Sequence, residues 1–162
     1  MSRIVIVGSY ASGKTELAKR LSRKSGTPHI ELDAIYWRPG WRGEDVTIFR
    51  EKVKALAGQE AWIIEGHFTK VSDLLLSRAD KIIWLDVSFP TAFARHMMRS
   101  FERNLKKEIL WNGNRETWGR SLVSLGRLCR DFQSRRKLFR LLSKNVRVPI
   151  VRMRSVRQEV AR

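Results

Sequence analysis

The chain has 162 residues, of which 43% are hydrophobic and 30% are charged, and its formal net charge at pH 7 is +17. This length suits one domain of ordinary size over residues 1–162, and the longest apolar runs are far too short to span a membrane. The single cysteine, Cys129, excludes an intramolecular disulfide, and the first residues lack a secretory pattern. We therefore expect a single-domain cytoplasmic protein without a membrane segment.

The first predicted element is a buried strand over Arg3 to Val7, and a phosphate-binding motif follows it directly. Residues Gly8 to Thr15 fit the pattern G-x-x-x-x-G-K-[ST], and an amphipathic helix runs on to about Ser25. In this motif the backbone N–H groups surround an anion, the lysine reaches the β- and γ-phosphates, and the last hydroxyl binds Mg²⁺. The order of strand, loop and helix therefore predicts a nucleoside-triphosphate site. Its predicted nucleotide-binding residues are Gly8, Ser9, Ala11, Ser12, Gly13, Lys14 and Thr15.

The elements after this helix alternate between strands and helices. The hydrophobic patterns predict strands over His29 to Leu32, Trp62 to Glu65, Lys81 to Val87 and Val146 to Val151. They predict helices over about Asp45 to Leu56, Val71 to Arg78, Pro90 to Lys107 and Leu122 to Ser143, and a terminal helix from Ser155. The long helix after Pro90 is expected to bury an apolar face made of Phe93, His96, Met97, Phe101 and Leu105.

This alternation predicts a parallel sheet with helices on both faces, and ligands bind such sheets at the carboxyl ends of the strands. Four polar elements fall there, namely the loop from Gly8 to Thr15, Asp33, the run from Glu65 to His67, and Asp86. A carboxylate near a metal and a transferring phosphate can orient the metal or accept a proton. Asp33 and Glu65 therefore join Lys14 of the loop as candidate catalytic residues. The alternatives are that Asp33 caps a turn and that Glu65 forms a structural salt bridge.

Arginine and lysine are concentrated in the half of the chain after Arg95. Such a field attracts polyanions, including nucleotides, nucleic acid and anionic lipid, although part of the charge is expected to be a solvated helix face. The turn-forming run from Trp111 to Arg120 is predicted to be a mobile cover over a ligand. Phosphoryl transfer needs cations near the γ-phosphate. The predicted sources are Arg115 as a catalytic residue, followed by Arg99, Arg103 and Arg120.

These motifs resemble those of the small P-loop kinases, the nucleoside monophosphate kinase-like group that includes adenylate, shikimate and gluconate kinases. The closer similarity is to uncharacterised bacterial adenylate kinase-like proteins, some of which are named DNA topology modulation proteins. The matching runs are Gly8 to Thr15, Leu32 to Trp37, Pro39 to Trp41, Trp62 to Gly66, Arg78 to Asp86 and Trp111 to Glu116. The resemblance implies a three-layer α/β P-loop NTPase fold with a five-stranded parallel sheet in the order 2-3-1-4-5. It also implies an acceptor-binding segment over about residues 34–60 and an arginine-bearing lid over about residues 108–121.

Single residues can be compared in the same way. Glu65 falls where adenylate kinases have an aspartate that orders the water shell of Mg²⁺, so Thr15 and Glu65, the latter through water, are the implied metal residues. Asp33 falls where shikimate kinase-like enzymes hold a carboxylate near the acceptor hydroxyl. Thr69 stands where adenylate kinases have an arginine that binds the acceptor monophosphate, which leaves the kind of acceptor open.

Two functions are consistent with the sequence. The first is a kinase that moves the γ-phosphoryl group of Mg-ATP to a small nucleotide-like or hydroxyl-bearing acceptor. The alternative is a nucleic-acid-associated ATPase or nucleotide-dependent switch, with non-specific nucleic-acid binding through the basic C-terminal half. ATP and Mg²⁺ are the expected cofactors, and the sequence does not specify an oligomeric state.

Overall fold

The computed structural model describes residues 2–66, 69–145 and 148–156, without the side chains of residues 135–145. The strands are β1 Arg3–Gly8, β2 His29–Glu31, β3 Trp37–Arg38, β4 Arg42–Gly43, β5 Trp62–Glu65, β6 Lys81–Leu85 and β7 Ile150–Met153. The α-helices are α1 Lys14–Ser25, α2 Leu32–Tyr36, α3 Val46–Ala57, α4 Ser72–Leu76, α5 Phe89–Lys106 and α6 Trp118–Asn145. Short 3₁₀ turns lie at Pro39–Trp41 and Trp111–Gly113.

The main sheet has five strands in the spatial order β2-β5-β1-β6-β7, and every neighbouring pair is parallel. When these five strands are counted along the chain, the order is 2-3-1-4-5, which confirms the predicted α/β fold and its sheet. Strands β3 and β4 form a separate antiparallel hairpin that the hydrophobic pattern did not predict. This hairpin lies within the segment expected to bind the acceptor.

The core has one layer on each face of the sheet, because successive strand side chains point to opposite faces. Val5 and Val7 of β1 belong to a buried cluster with Phe49 of α3, and helix α4 packs on the same side. Ile6 belongs to a second cluster with Leu17 of α1, and α5 and α6 lie on that side. The three-layer arrangement is thus present, and it holds the loop after β1 at the carboxyl edge of the sheet.

Two glycines of this loop are required by its geometry. A side chain at Gly8 would place its Cβ 2.6 Å from the Leu85 carbonyl oxygen, which no residue other than glycine avoids. Gly13 has a φ of 99°, in the region that disfavours a side chain, and it directly precedes α1. The loop can therefore run close to β6 and then turn into the helix.

The predicted apolar face of α5 is wrong for all but one residue. Ala92, His96 and Ser100 are the buried positions, whereas Phe93, Met97, Phe101 and Leu105 are 39–63% exposed. The hydrophobic period correctly indicated a helix, but it could not show which face the neighbouring helix α6 covers. The small residues Ala92 and Ser100 allow close packing there, and the large side chains lie on the outer face.

The C-terminal strand begins later than predicted, at Ile150 rather than Val146, and residues 146–147 lie outside the described part. The expected terminal helix after Ser155 falls mostly on residues 157–162, which also lie outside it. Within the described ranges, no helix combines the length and apolar character needed to cross a membrane.

Candidate active site

A cleft of about 760 Å³ lies at the carboxyl edge of the sheet. One end is formed by the loop from Tyr10 to Thr15, and the other by Asp33, Trp37 and Trp41. The wall between them comes from α5, the segment after it and the first turns of α6. We call the first end the donor half and the second the acceptor half. The two halves form one continuous space of the size expected for a small-molecule site.

In the donor half, Lys14 lies against its own loop. Its Nζ donates to the carbonyl oxygens of Gly8 at 3.2 Å and Ser9 at 2.8 Å. Burial lowers the pKa of Lys14, and the carboxylates of Glu65, Asp33 and Asp131 partly oppose this shift. The hydroxyl of Ser12 is buried and has no hydrogen-bond partner among the described residues. A buried hydroxyl beside a lysine suits an anion such as a phosphate group.

Thr15, in the first turn of α1, meets Glu65, the last residue of β5. The Thr15 hydroxyl donates to Glu65 Oε1 at 2.7 Å, and His29 Nε2 lies 3.9 Å from the same oxygen. Burial works to raise the pKa of Glu65, but His29, Lys14 and the Thr15 hydroxyl outweigh it and hold that pKa below its usual value. Glu65 is therefore an anion although it is only 5% exposed. A hydroxyl and a carboxylate are oxygen ligands of the kind that Mg²⁺ prefers, directly or through water.

A second set of metal-ligating atoms adjoins this pair. Among the described residues, His29, Glu31 and Glu65 place one possible ligand atom each within 4.8 Å of one another. Glu31 already has a partner within the protein, because its Oε2 accepts a hydrogen bond from the Trp111 indole at 2.9 Å. The structure brings together Thr15 and Glu65, the pair that the sequence predicts for Mg²⁺, and their role as metal residues stays a prediction.

The arginines of α5 have three different roles. Arg95 donates to the Ser12 carbonyl oxygen at 2.6 Å and braces the loop. Arg99 lies over the Tyr10 ring at 4.7 Å, and its buried Nε and Nη2 have no hydrogen-bond partner among the described residues. Arg103 donates to Glu116 at 3.2 Å and lies 3.5 Å from Glu108. Arg99 is therefore the cation best placed to meet a phosphate, whereas Arg103 is held by carboxylates.

The structure brings only one of the two predicted lid arginines to the cleft. Arg120 lines it, with its guanidinium 4.7 Å from the ring of Trp41 and 5.7 Å from the ring of Trp37. Arg115 is exposed, and it is not among the described residues that line the cleft. Its carbonyl oxygen, not its side chain, contacts this region by accepting from the Trp41 indole at 2.9 Å.

The acceptor half combines a carboxylate with an aromatic wall. Asp33 lies in the first turn of α2, directly after β2, and lines the cleft. Trp37 and Trp41 are in edge contact at 5.6 Å, and Trp41 and Trp111 are in edge contact at 6.4 Å. Indoles of this kind, with Arg120 over two of them, can hold a small ring-bearing or polar molecule beside the carboxylate.

The segment Trp111–Glu116, which we call the strap, ties the aromatic wall in place. Buried Asn114 accepts from the backbone N–H of Trp41 at 2.8 Å and donates to the carbonyl oxygens of Arg38 at 3.0 Å and Trp111 at 2.8 Å. Asn112 donates to the carbonyl oxygens of Ala34 and Trp37. The N-terminal end of the run predicted to be a mobile cover is therefore hydrogen-bonded to α2 and to the β3–β4 hairpin region.

Sequence reasoning missed several of these contacts. The sequence indicates Arg95 only as the start of the basic half, although its side chain donates to the Ser12 carbonyl oxygen and braces the loop. Asp131 of α6 accepts from the backbone N–H of Tyr10 at 2.9 Å, and no local pattern indicates that contact. The paired asparagines of the strap were a usable signal, because two side-chain amides in one short turn often bind backbone groups. His67 lies outside the described residues.

Comparisons with known proteins complete this picture. No protein-family model matches the sequence. A shikimate kinase of Flavobacterium psychrophilum is 28% identical over 131 residues, which are 67% of this chain and 73% of that protein. The structure of shikimate kinase from Acinetobacter baumannii in complex with shikimate matches with a TM-score of 0.59, over 99% of this chain and 89% of that chain, at 16% identity. The chain has the fold of a small P-loop kinase.

This result confirms the resemblance to small P-loop kinases found in the sequence, and it supports a phosphotransferase enzyme. The structural match, at low identity, supports the fold, and the sequence match extends to most of the length of both proteins.

Proposed function

We propose that this kinase takes its phosphoryl group from Mg-ATP and passes it to a small acceptor that carries a hydroxyl group. The two similar proteins are both shikimate kinases, and one is described in complex with shikimate, which supports a small hydroxyl-bearing acceptor. A nucleotide-like acceptor would use the same donor half. No contact among the described residues favours the alternative, a nucleic-acid-associated ATPase.

The observation that carries the proposal is the 2.7 Å contact between Thr15 and Glu65 beside Lys14. It joins the last residue of the phosphate-binding loop to a buried anion, and this pair would hold Mg²⁺, directly or through water. When bound, Mg²⁺ would neutralise charge on the phosphates of the donor. Lys14 would bind the β- and γ-phosphates and orient the donor toward the acceptor half.

Asp33 would act on the acceptor. It lies in the same cleft as Lys14, and its negative charge is near enough to affect the pKa of that lysine. Asp33 would accept the proton of the acceptor hydroxyl as the oxygen bonds to the γ-phosphorus, while the bond to the departing ADP breaks. The proton then resides on the carboxylate, and the phosphoryl group on the acceptor.

Arg99 would stabilise the charge that spreads over the γ-phosphate oxygens. A buried guanidinium without partners for two of its nitrogens is costly to desolvate, and an anion in the cleft would supply those partners. Arg120 would contribute from the acceptor side, where it already faces the cleft. The proposal assigns Arg103 and Arg115 smaller roles.

The test is release of ADP in the presence of a panel of hydroxyl-bearing acids, including shikimate, and of nucleoside monophosphates. We expect ADP release to depend on an acceptor. Lys14→Ala should lower ATP affinity about ten- to hundredfold, because the lysine makes charge-assisted contacts to phosphate. Lys24→Ala is the matched control, since Lys24 is exposed at the far end of the same helix and should leave the affinity unchanged.

Asp33→Asn separates the two halves of the cleft. It should abolish most acceptor-stimulated turnover while ATP affinity stays within about twofold of wild type. Equal loss of ATP affinity in Asp33→Asn and Lys14→Ala would overturn the assignment of Asp33. ATP hydrolysis that no acceptor stimulates, that DNA stimulates at physiological salt and that Lys14→Ala abolishes would replace the kinase by the nucleic-acid-associated ATPase.

A further inference from the structure

The outer face of α5 carries a stripe of large apolar side chains that the described structure covers only in part, with Phe89 at one end in edge contact with Phe132 of α6 at 5.1 Å. We define the α5 stripe as Phe89, Phe93, Met97, Phe101 and Leu105, which follow one another at four-residue intervals. These side chains are 39%, 39%, 47%, 55% and 63% exposed. The stripe spans seventeen residues of helix, a rise of about 24 Å, and it winds slowly around α5 because each four-residue step turns about 40° beyond a full helical turn. It faces away from the cleft, which Arg95 and Arg99 enter from another side of the same helix.

The apolar surface continues from the stripe onto neighbouring elements. Trp118 of α6 is in edge contact with Phe101 at 6.1 Å, and it is itself 56% exposed. Leu122 of α6 is also exposed, by 71%, whereas the exposed side chains of Met98, Ile109 and Val123 line the cleft and are not part of this surface. The seven large side chains of this surface, 39–71% exposed, offer on the order of 600–800 Å² of apolar surface. That amount lies within the roughly 600–1,000 Å² per partner of a standard protein interface and exceeds the apolar patches usual on monomers.

Charge is absent from the middle of this surface. The exposed residues of α5 between positions 89 and 101 are Phe89, Pro90, Thr91, Phe93, Ala94, Met97, Met98 and Phe101, and none of them is ionisable. In a chain with a net charge of +17, an uncharged face of this length is the place where two copies can approach with least repulsion. Nucleic acid or an acidic partner would instead require cations on the face.

We propose that the α5 stripe is the interface of a homodimer, in which two copies of α5 pack antiparallel about a two-fold axis at Met97. The order of residues supports this symmetry, because Phe93 and Phe101 lie four residues on either side of Met97, and Phe89 and Leu105 lie eight residues away. In the dimer Phe93 therefore faces Phe101 of the partner subunit. A two-fold interface must be self-complementary in this sense, and the stripe reads almost the same in both directions.

The helix pair would also leave both active sites accessible. Helix α5 presents its arginines to the cleft and the stripe to the partner, and the two sets lie on different faces of the helix. Dimer formation and nucleotide binding therefore use different surfaces of one helix. The proposal is independent of which acceptor the kinase uses, and its tests do not require enzymatic activity.

The first experiment measures molecular mass by light scattering and sedimentation equilibrium, over an about hundredfold range of concentration. We expect the wild type to be a dimer that dissociates on dilution. Met97→Glu should raise the dissociation constant at least tenfold, because it places two carboxylates together at the two-fold axis. The control is Ile48→Glu, which makes the same kind of change at an exposed position of α3 outside the stripe. Thermal unfolding and circular dichroism establish that both variants are folded.

The second experiment tests the antiparallel register by cross-linking, in a Cys129→Ser background that removes the native thiol. With a short bismaleimide reagent, Met97→Cys should give covalent dimers in high yield. Leu105→Cys should give none, because the two thiols would lie about 24 Å apart along the helix axes. Equal cross-linking at both positions would indicate parallel helices and overturn the proposed arrangement.

A third variant pair covers the case in which a single glutamate disturbs the fold. Phe93→Glu with Phe101→Lys in the same chain should retain a dimer, since each glutamate faces a lysine of the partner subunit, whereas Phe93→Glu with Phe101→Glu should be monomeric. A wild type that stays monomeric at every concentration would overturn the proposal. So would a dimer that survives both Met97→Glu and the double glutamate variant, because its interface would lie elsewhere. A monomer that binds anionic vesicles or DNA through the stripe would likewise contradict a second copy as its partner.

Discussion

The donor half of the cleft is made from neighbouring residues, and the acceptor half is made from distant ones. Lys14 and Thr15 follow Gly8 within one loop, and the loop itself supplies the carbonyl groups that bind Lys14. In the acceptor half, Trp41 is held by Asn114, which lies 73 residues further along the chain. The first half depends on a local motif, and the second depends on the whole fold having assembled.

This difference predicts two kinds of mutational effect. A change in the donor half should reduce turnover and leave the stability of the fold nearly intact, because few structural elements depend on contacts with those side chains. A change in the strap should reduce stability and acceptor binding together, since the same hydrogen bonds do both. The predictions below test that division, starting with the largest expected effect.

Among the variants that test this division, Glu65→Gln should give the largest loss in turnover. The amide keeps the shape of the side chain but removes the charge that would orient the metal through water, which typically costs about 10–100-fold. Turnover measured across a Mg²⁺ titration should shift to higher metal concentration, while the melting temperature changes little. Glu60→Gln, at an exposed position, is the control. An unchanged Mg²⁺ dependence would remove Glu65 from the metal site.

Asn114→Ala should destabilise the fold by about 2–3 kcal/mol, because buried backbone groups at Trp41, Arg38 and Trp111 lose their partner. The Michaelis constant for the acceptor should rise, and ATP affinity should stay close to wild type. Asn112→Ala is a graded comparison, since Asn112 is exposed and its loss should cost about 1 kcal/mol or less. Urea unfolding and steady-state kinetics measure both effects. Equal loss of ATP affinity in Asn114→Ala would show that the halves are not separable.

The buried polar network between α5 and α6 should make the fold sensitive to acid. Burial works to raise the pKa of Glu116, but Ser100, Ser121 and Arg103 outweigh it and hold that pKa below its usual value. Burial also lowers the pKa of His96, with Arg99 adding to the shift while the Ser121 carbonyl and Glu116 oppose it. A lowered pKa in the folded state means that stability is present above the unfolded-state pKa and is lost as pH falls toward the folded-state value.

Because both pKa values are lowered in the folded state, stability should fall in two separate pH ranges. Stability should begin to fall below about pH 6.5 as His96 would have to be protonated, and should fall further below about pH 4.5 as Glu116 is protonated. Glu116→Gln should flatten the second part of the curve and slightly enlarge the first, because the Glu116 charge opposes the lowering of the His96 pKa. Free energies of unfolding from urea titrations between pH 3 and pH 8, in both proteins, would show this, and parallel curves would exclude Glu116 as the acidic group responsible.

Arg115→Ala should have the smallest effect of the set. Its guanidinium does not line the cleft, and the contact it makes with Trp41 uses its backbone carbonyl, which alanine retains. Turnover should stay within about twofold of wild type, and stability within about 0.5 kcal/mol. Arg99→Ala should lower turnover clearly in the same assay. The opposite ranking would return Arg115 to the catalytic role that its position in the turn suggests.

The sequence predicts the fold and the donor half well because both depend on local patterns. The strand before Gly8, the glycines of the loop and the helix after it are visible within one short window, and Trp62–Glu65 was predicted to the residue. Alternation of strands and helices then leaves few possible sheets. These features follow from period, turn chemistry and a motif with a known mechanism.

Other features depend on contacts between distant segments, and the sequence could not reveal them. The hairpin Trp37–Gly43 depends on hydrogen bonds from the strap, which is distant in sequence. Its own short strands carry too weak a hydrophobic pattern to predict it. The buried face of α5 is chosen by α6, and small residues such as Ala92 and Ser100 do not stand out in a hydrophobic pattern. The choice between Arg99 and Arg115 depended on where each side chain points after folding.

The hydrogen bonds of Lys14 have a consequence for how nucleotide affinity is interpreted. A phosphate that binds the ammonium group competes with the carbonyl oxygens of Gly8 and Ser9, which already accept from it. The free energy of binding is therefore the difference between two sets of partners, not the full strength of a lysine–phosphate contact. Sequence changes that only alter how well the loop carbonyls accept from Lys14 would then tune the affinity for ATP without touching the nucleotide.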